Sequence, residues 1–155
     1  MSIKKKILII LGLGVTIAIS VALYMYYMPT RDVQATKTDY SFKARTIVKE
    51  YLTDPEKANQ KYLDDEGESK VLEITGIVAD ISEDFNKQKV ILLKSDTEKA
   101  GVKATFTSET NKSTEGVNIG DEITIKGVIR SGASYDEDLG MYEHVILEKS
   151  DIITQ

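Results

Sequence analysis

Residues 71–81 have the sequence VLEITGIVADI, and they indicate most clearly how the chain folds. Before Gly76 the aliphatic side chains at positions 72 and 74 alternate with polar ones, which is the two-residue period of a half-buried strand. After Gly76 the apolar positions shift to 77, 79 and 81. A one-residue slip at a glycine predicts a β-bulge, and bulges let a long strand bend around a barrel. Residues 70–81 are therefore predicted to be a long, bent strand.

Four more strand-like segments follow the first one: residues 89–95, 102–107, 119–129 and 142–149. A turn at 84–87, a polar connector at 108–117 and a loop at 131–140 separate them. Five strands with internal glycines in the first and the fourth, Gly76 and Gly127, predict a mainly β domain at residues 69–155. The fold class is a five-stranded Greek-key barrel, the OB-fold. A β-sandwich would more often show seven or more strands.

A helical segment is predicted at residues 41–68, ahead of the barrel. Ser41 is a suitable N-cap, and apolar residues recur behind it at three-to-four-residue spacing. Asp54 and Pro55 interrupt the pattern and begin a second helical stretch. The apolar face, which includes Tyr51 and Leu52, either plugs one mouth of the barrel or contacts a partner. The plug is favoured, because an exposed apolar stripe promotes aggregation.

The N-terminal segment is predicted to be a membrane anchor. Residues Ile7 to Met28 are uncharged and follow Lys4, Lys5 and Lys6. A helix of that length reaches about 33 Å, enough to cross a hydrocarbon core of about 30 Å. The lysines predict a cytoplasmic tail at 1–6, and the tyrosines that end the run suit the opposite interface. A linker at 29–40 then leads to an extracytoplasmic (periplasmic) domain.

A cleaved signal peptide is the alternative to an anchor. Small residues in Ser20-Val21-Ala22 and in Val33-Gln34-Ala35 resemble cleavage sites, but the apolar region of a signal peptide is usually only about 7–15 residues long. An uncleaved anchor is therefore favoured. The chain has no cysteine, which excludes both a lipid anchor on cysteine and a disulfide-bonded domain.

The part of the chain beyond the apolar run is acidic. Three of the 20 lysines and arginines precede that run and none of the 25 aspartates and glutamates does, which leaves 17 cations against 25 anions, a net charge of −8 for residues 29–155. Such a domain repels nucleic acid phosphates and anionic lipids at long range. Nucleic acid is accordingly a disfavoured partner.

The chain resembles the tRNA-anti-like OB-fold family of bacterial proteins. The residues that carry the resemblance are the helix opening Asp39-Tyr40-Ser41, the helix end at 58–63, the first strand at 71–78, and Gly120 to Gly127 in the fourth strand. A lysine-tagged apolar segment followed by Arg31-Asp32 adds to it. The resemblance implies an OB-fold over nearly the whole chain. It implies no activity, because these motifs are structural and a fold does not specify a function.

The predicted ligand surface is the barrel face over the second and third strands, where OB-folds bind their ligands between two loops. Its candidate residues are Lys89, Lys103, Thr105 and Thr107 on the strands, and Phe85 and Tyr135 on the loops. Sites for single-stranded nucleic acid need aromatic platforms and a positive groove. This face offers two or three lysines and no outward aromatic side chain on its strands, so a protein-binding or solvated face is favoured.

No catalytic, metal or cofactor motif appears in the sequence. His144 is the only histidine and has neither the partners of a catalytic triad nor the further ligands of a zinc site. The acidic clusters at 64–68 and 136–138 lack the pattern of an EF-hand loop, although weak cation binding stays open. We therefore expect a non-enzymatic module without cofactor or metal.

Two functions follow as hypotheses from these patterns. The leading one is a membrane-anchored binding module that engages a protein or glycan component of the cell envelope. The alternative is an OB-fold that binds single-stranded nucleic acid.

Overall fold

The structure, a computed structural model, describes residues 1–29 and 31–154, and the chain divides into two units at Arg31. The first unit contains helix α1, Ile3–Tyr27, with a mean hydropathy of 2.6 and no buried residue. Its polar side chains bond within the helix, as when the Thr16 hydroxyl donates to the Gly12 carbonyl at 2.9 Å. By length and composition α1 suits a membrane span, a criterion that a signal sequence near the N-terminus also meets.

The second unit, beginning at Asp32, contains the strands and two short helices. The elements in chain order are β1 Tyr40–Lys43, α2 Ala44–Thr53, α3 Pro55–Tyr62, β2 Val71–Glu83, β3 Lys89–Leu93, β4 Val102–Phe106, a 3₁₀-helix Asn111–Thr114, β5 Glu122–Ser131, β6 Ser134–Asp136, β7 Met141–Glu143 and β8 Val145–Thr154.

A closed five-stranded barrel forms because β2 pairs with two neighbours. Its first half, through residue 77, pairs antiparallel with β5, and its second half, from Val78, pairs antiparallel with β3. Strand β4 then joins β3 to β8, and the pairing of β8 with β5 completes the circle. Strands β4 and β8 run parallel. The predicted OB-fold barrel is confirmed.

Gly76 is required for close packing, and the predicted bulge lies elsewhere. Gly76 stays paired with Ile123, whereas the register of β2 against β3 shifts between Val78 and Asp80. A Cβ on Gly76 would lie 3.0 Å from the Leu93 Cβ and close to helix α2. The predicted position of the bulge is therefore wrong. Both Gly76 and Gly127 nevertheless lie in paired strands.

Helix α2 packs on the barrel. Its residues Ala44, Ile47, Val48 and Tyr51 are buried and belong to the same hydrophobic core as the strands. The Tyr51 ring occupies the space where a Cβ of Gly132, just beyond β5, would lie. This is the geometry of a plug at the barrel mouth. Leu52, which the sequence pattern assigned to the apolar face, is instead 37% exposed.

The structure corrects the predicted start of the helical segment. Ser41 does not cap a helix, because residues Tyr40–Lys43 form β1, which pairs parallel with β2. One backbone bond and one side-chain bond hold this segment extended: Asp39 N–H donates to the Val71 carbonyl, and Val71 N–H donates to the Asp39 carboxylate, both at 2.8 Å. The helix begins only at Ala44.

Residues 32–38, predicted as part of a polar linker, lie against the barrel, and we call them the strap. Val33 is only 3% exposed. The Gln34 amide donates to the carbonyls of Lys126 and Lys149, while the Lys126 ammonium donates to the carbonyls of Gln34 at 3.0 Å and Thr36 at 2.7 Å. The barrel unit thus begins several residues earlier than the sequence suggested.

The loop between β5 and β8, predicted as irregular, contains a small hairpin of β6 and β7. Tyr135 faces Tyr142 across it, with ring centroids 4.8 Å apart. The connector between β4 and β5 carries the 3₁₀-helix, which is held to neighbouring strands by side-chain bonds. Thr110 donates to the Ser150 carbonyl at 2.7 Å, and Asn111 accepts from Lys89 N–H at 2.8 Å.

Candidate functional site

The outer surface of β3, β4 and β8 is the first candidate, and we call it the sheet face. Leu92 pairs with Lys103, which pairs in turn with Ile146, so these three side chains form a row across the barrel. Lys103 is exposed, whereas Leu92, Thr105 and Ile146 are half-buried. The face is therefore a shallow aliphatic surface crossed by a cation.

His144 adds polarity at one end of the sheet face. The Gly101 N–H donates to His144 Nδ1 at 3.0 Å, so the neutral ring carries its proton on Nε2. Burial lowers the pKa of His144, and the positive charges of Lys103 and Lys94 lower it further. His144 thus has a structural role, as the neutral acceptor of the Gly101 N–H.

Two of the six predicted site residues, Lys103 and Thr105, lie together on the sheet face. Thr107 follows the end of β4, and its hydroxyl and N–H both bond to the Thr110 hydroxyl, which ties it to the connector. Lys89 shares the strand phase of inward-pointing Ile91. Its ammonium pairs with the Glu83 carboxylate at 3.0 Å, so it lies at the barrel rim and not on the sheet face.

The other two residues, predicted on loops, lie in a turn and on a short strand. Phe85 is fully exposed in the turn between β2 and β3, which the Asp84 side chain closes by accepting from the N–H groups of Asn86 and Gln88. Tyr135 is 51% exposed on strand β6. The structure therefore distributes the six residues along the face and its flanks and does not gather them into one cluster.

Tyr135 belongs to a concavity that sequence reasoning missed, and we call it the hairpin pocket. It has a volume of about 440 Å³. The Lys99 ammonium lies 5.4 Å from the centre of the Tyr142 ring, a cation–π distance. The lining combines aromatic, aliphatic and polar side chains: Tyr51, Leu52, Pro55, Lys99, Ser134, Tyr135 and Tyr142.

Tyr51, which lines the hairpin pocket, has a buried hydroxyl. The residue is 1% exposed, and no protein group within the described part of the chain bonds its hydroxyl. Burial, then the neighbouring Tyr62 and Glu50, raises the pKa of Tyr51 to about 12. The hydroxyl therefore stays protonated and neutral.

A larger concavity of about 1080 Å³ lies between α2 and α3, and we call it the helix groove. Leu52 and Lys99 line both concavities, so the two adjoin. Five cations against three acids line the groove: Arg45, Lys49, Lys57, Lys61 and Lys99 against Glu50, Asp54 and Glu98.

Two of the three acids in the helix groove accept hydrogen bonds from residues of α3. The Glu50 carboxylate accepts from the Lys61 ammonium at 3.0 Å and from the Tyr62 hydroxyl at 2.8 Å. Burial raises the pKa of Glu50, but these hydrogen bonds and the charge of Lys61 outweigh it, and the pKa is lowered overall. Asp54 caps α3 by accepting from Lys57 N–H at 3.1 Å.

No three His, Asp or Glu side chains come together as metal ligands within residues 1–29 and 31–154. In the acidic clusters, carboxylates instead accept backbone bonds: Asp64 from Glu66 N–H and Asp136 from Leu139 N–H. These bonds stabilise turns.

The sequence offered one signal for the helix groove. Arg45 and Lys49 are four residues apart, as are Lys57 and Lys61, so each pair marks one helix face. The two faces border one groove because the chain bends at Asp54. The sequence predicts the position of this bend but not the angle between the helices.

Comparison with known proteins gives a family and solved structures of the same fold. The tRNA_anti-like family model matches residues 1–137. A crystal structure of a candidate nucleic acid-binding lipoprotein from Klebsiella pneumoniae subsp. pneumoniae MGH 78578 is 14% identical, with a TM-score of 0.54, and covers 81% of this chain and 100% of its own. At that identity the likeness shows the fold alone. No curated protein matches the chain.

Proposed function

Because this chain belongs to the tRNA_anti-like family, we propose that it is a membrane-anchored OB-fold module that binds a protein or glycan component of the cell envelope, outside the cytoplasm and without catalysis. The family membership supplies the barrel. The location and the binding role are inferences from the residues.

The composition of α1 supports the location. The helix is apolar, long enough to span a bilayer, and preceded by cationic lysines, which the positive-inside rule keeps in the cytoplasm. The Klebsiella protein is a lipoprotein, whereas this chain has no cysteine to carry a lipid. Attachment here would therefore depend on α1 itself.

The observation that carries the binding role is the hairpin pocket. It lies at the loop between β5 and β8, which is the last loop of the barrel and one of the two that frame the ligand surface of OB-folds. Aromatic side chains with polar tips, such as Tyr135 and Tyr142, favour contacts with both proteins and sugars because each ring offers an apolar face beside a hydroxyl.

In-cell photo-crosslinking tests the proposal. We would replace Tyr135 of the full-length chain by benzoylphenylalanine and irradiate living cells, with the same substitution at exposed Lys37 in the strap as the matched control. We expect a discrete adduct from position 135 that protease or glycan hydrolase digestion identifies as protein or glycan, and none from position 37. Absence of an adduct at 135, or identical adducts at both positions, would overturn the proposal.

One observation favours single-stranded nucleic acid as the second candidate ligand. Leu93 pairs with Val102 and Val102 with Val145, so their chain neighbours Lys94, Lys103 and His144 lie at the same end of the sheet face and bring two positive charges there. This candidate predicts micromolar binding of oligonucleotides to the full chain in detergent micelles, weakening steeply with salt. Lys103→Glu should reduce that binding while Lys112→Glu, at an exposed site on the 3₁₀-helix, leaves it unchanged. No binding at low salt would eliminate this candidate.

A further inference from the structure

The helix groove has an aliphatic floor. Val48 and Ala58, 4% and 3% exposed, lie at its base, and the partly exposed side chain of Leu52 lies beside them. Among the described residues, no aromatic side chain lines the groove. Sugars and nucleobases are usually held by stacking on aromatic rings. A floor of valine, leucine and alanine suits an aliphatic side chain of a peptide instead.

The rim of the helix groove is cationic. Arg45 and Lys49 of α2 and Lys57 of α3 form no salt bridge and donate no side-chain hydrogen bond to any residue in the described ranges. Two of the acids are already engaged, Glu50 by Lys61 and Asp54 by the N-terminus of α3. Five cations against three carboxylates leave the groove lining with a net formal charge of +2, on a domain whose net charge is −8 as counted from the sequence.

We propose that the helix groove binds an acidic peptide segment of an envelope protein, with one aliphatic side chain of that segment seated against Leu52. Charge complementarity selects the acidic segment, and the floor selects the aliphatic anchor. Helix α2 has ten residues and is about 15 Å long, which accommodates four to five residues of extended peptide. The inference rests on the proposed function, of which it names the partner.

The cationic rim and the contact with Leu52 contribute to binding in different ways. The exposed cations of the rim speed encounter and select the sign of charge, and their effect weakens with salt. Contact with Leu52 removes apolar surface from water, and the free energy of this contact is not weakened by salt. The groove should therefore require both features and reject a peptide that has only one of them.

A binding measurement with a defined probe tests the inference. The probe is a fluorescein-labelled peptide of about nine residues, glutamates and aspartates around a central Leu-Leu pair. It is titrated by fluorescence anisotropy against the full-length chain in neutral detergent micelles at low and at physiological salt. Comparison peptides replace the leucines by serine, or the acids by lysine.

The protein variants separate the groove from general electrostatics. Arg45→Glu/Lys49→Glu reverses two rim charges, and Lys37→Glu/Lys112→Glu makes the same net change at exposed positions outside the groove. Leu52→Ser removes the anchor contact. Circular dichroism of each variant verifies the fold.

We expect the acidic Leu-Leu peptide to bind the native chain and the Lys37→Glu/Lys112→Glu variant equally. Arg45→Glu/Lys49→Glu should weaken binding at least tenfold, Leu52→Ser several-fold, and both comparison peptides should bind at least tenfold more weakly. Absence of binding, an equal loss in both charge-reversal variants, or equal binding of the serine peptide would overturn the inference. So would an oligonucleotide that competes for the groove at lower concentration than the peptide.

Failure here is distinguishable from failure of the proposed function. An adduct from position 135 together with no peptide binding would overturn the acidic-peptide inference and keep the binding module. Lack of any adduct would overturn the binding module itself, whatever the peptide does.

Discussion

Replacing Gly132 by alanine should destabilise the barrel, because the Tyr51 ring occupies the space of the new methyl group. A Cβ at position 132 would lie 2.5 Å from Tyr51 Cζ and closer still to Cδ1 and Cε1. Carbon atoms in contact normally stand about 3.5–4.0 Å apart, so the ring would have to move by more than 1 Å. Tyr51 is 1% exposed and packs against Tyr62 with centroids 6.0 Å apart, which leaves it little space.

The expected cost lies at the upper end for overpacking, about 3 kcal/mol in the free energy of unfolding. Tyr51→Ala should cost about 3–5 kcal/mol through the cavity it leaves. In the Tyr51→Ala background, Gly132→Ala should cost almost nothing, because the clashing ring is gone. The double variant should therefore be about 3 kcal/mol more stable than additivity predicts.

Urea unfolding of the full-length chain in detergent micelles, followed by far-ultraviolet circular dichroism, measures the cycle. Gly14→Ala is the control, since a Cβ there meets nothing within 4 Å, and it should leave the barrel transition unchanged. A cost below about 0.5 kcal/mol for Gly132→Ala, or additive costs in the double variant, would refute the packing of α2 into the barrel mouth.

Three further predictions concern the sheet face and the strap. The unfolded state should bind a proton at His144 at higher pH than the folded state, because burial and then Lys103 and Lys94 lower the folded pKa. The free energy of unfolding should therefore fall as the pH drops below about 6.5. In urea titrations at pH 5 and 8, His144→Asn should remove that dependence. An unchanged pH profile in this variant contradicts the assignment. Lys103→Glu should raise the pKa of His144 in an NMR titration, because an anion replaces a repelling cation, and a constant or lower pKa would count against the cluster. Lys126→Met should cost about 1.5–3 kcal/mol through its lost charged bonds to the strap and accelerate proteolysis at 32–38, whereas native stability in this variant would show that the strap is not held there.

The barrel was predictable because its strands carry their own periodicity. In β4, Val102, Ala104 and Phe106 are buried while Lys103 is exposed, as the alternation indicates. The same alternation correctly placed Lys103 and Thr105 on one outward face. The prediction for Lys89 failed, because its position in β3 does not indicate the ion pair with Glu83 at the barrel rim.

Elements that depend on distant partners were not predictable from local pattern. Strand β1 has only four residues and is extended because Asp39 bonds Val71 more than thirty residues away. Its short apolar pattern fitted a helix just as well. The helix groove likewise needs Lys99, from the loop between β3 and β4, to meet Leu52 of α2. Sequence spacing revealed the basic helix faces but not the surface that they border.

Cysteine labelling in cells tests whether α1 holds the binding module outside the cytoplasm. The chain has no cysteine of its own, so Phe85→Cys, at a fully exposed barrel turn, and Ser2→Cys, before α1, each provide a single reporter. We expect a membrane-impermeant maleimide to label Phe85→Cys in intact spheroplasts and Ser2→Cys only after lysis, with both proteins staying in the membrane pellet after a carbonate wash. Labelling in the opposite pattern, or release of the barrel into the wash, would contradict this expectation.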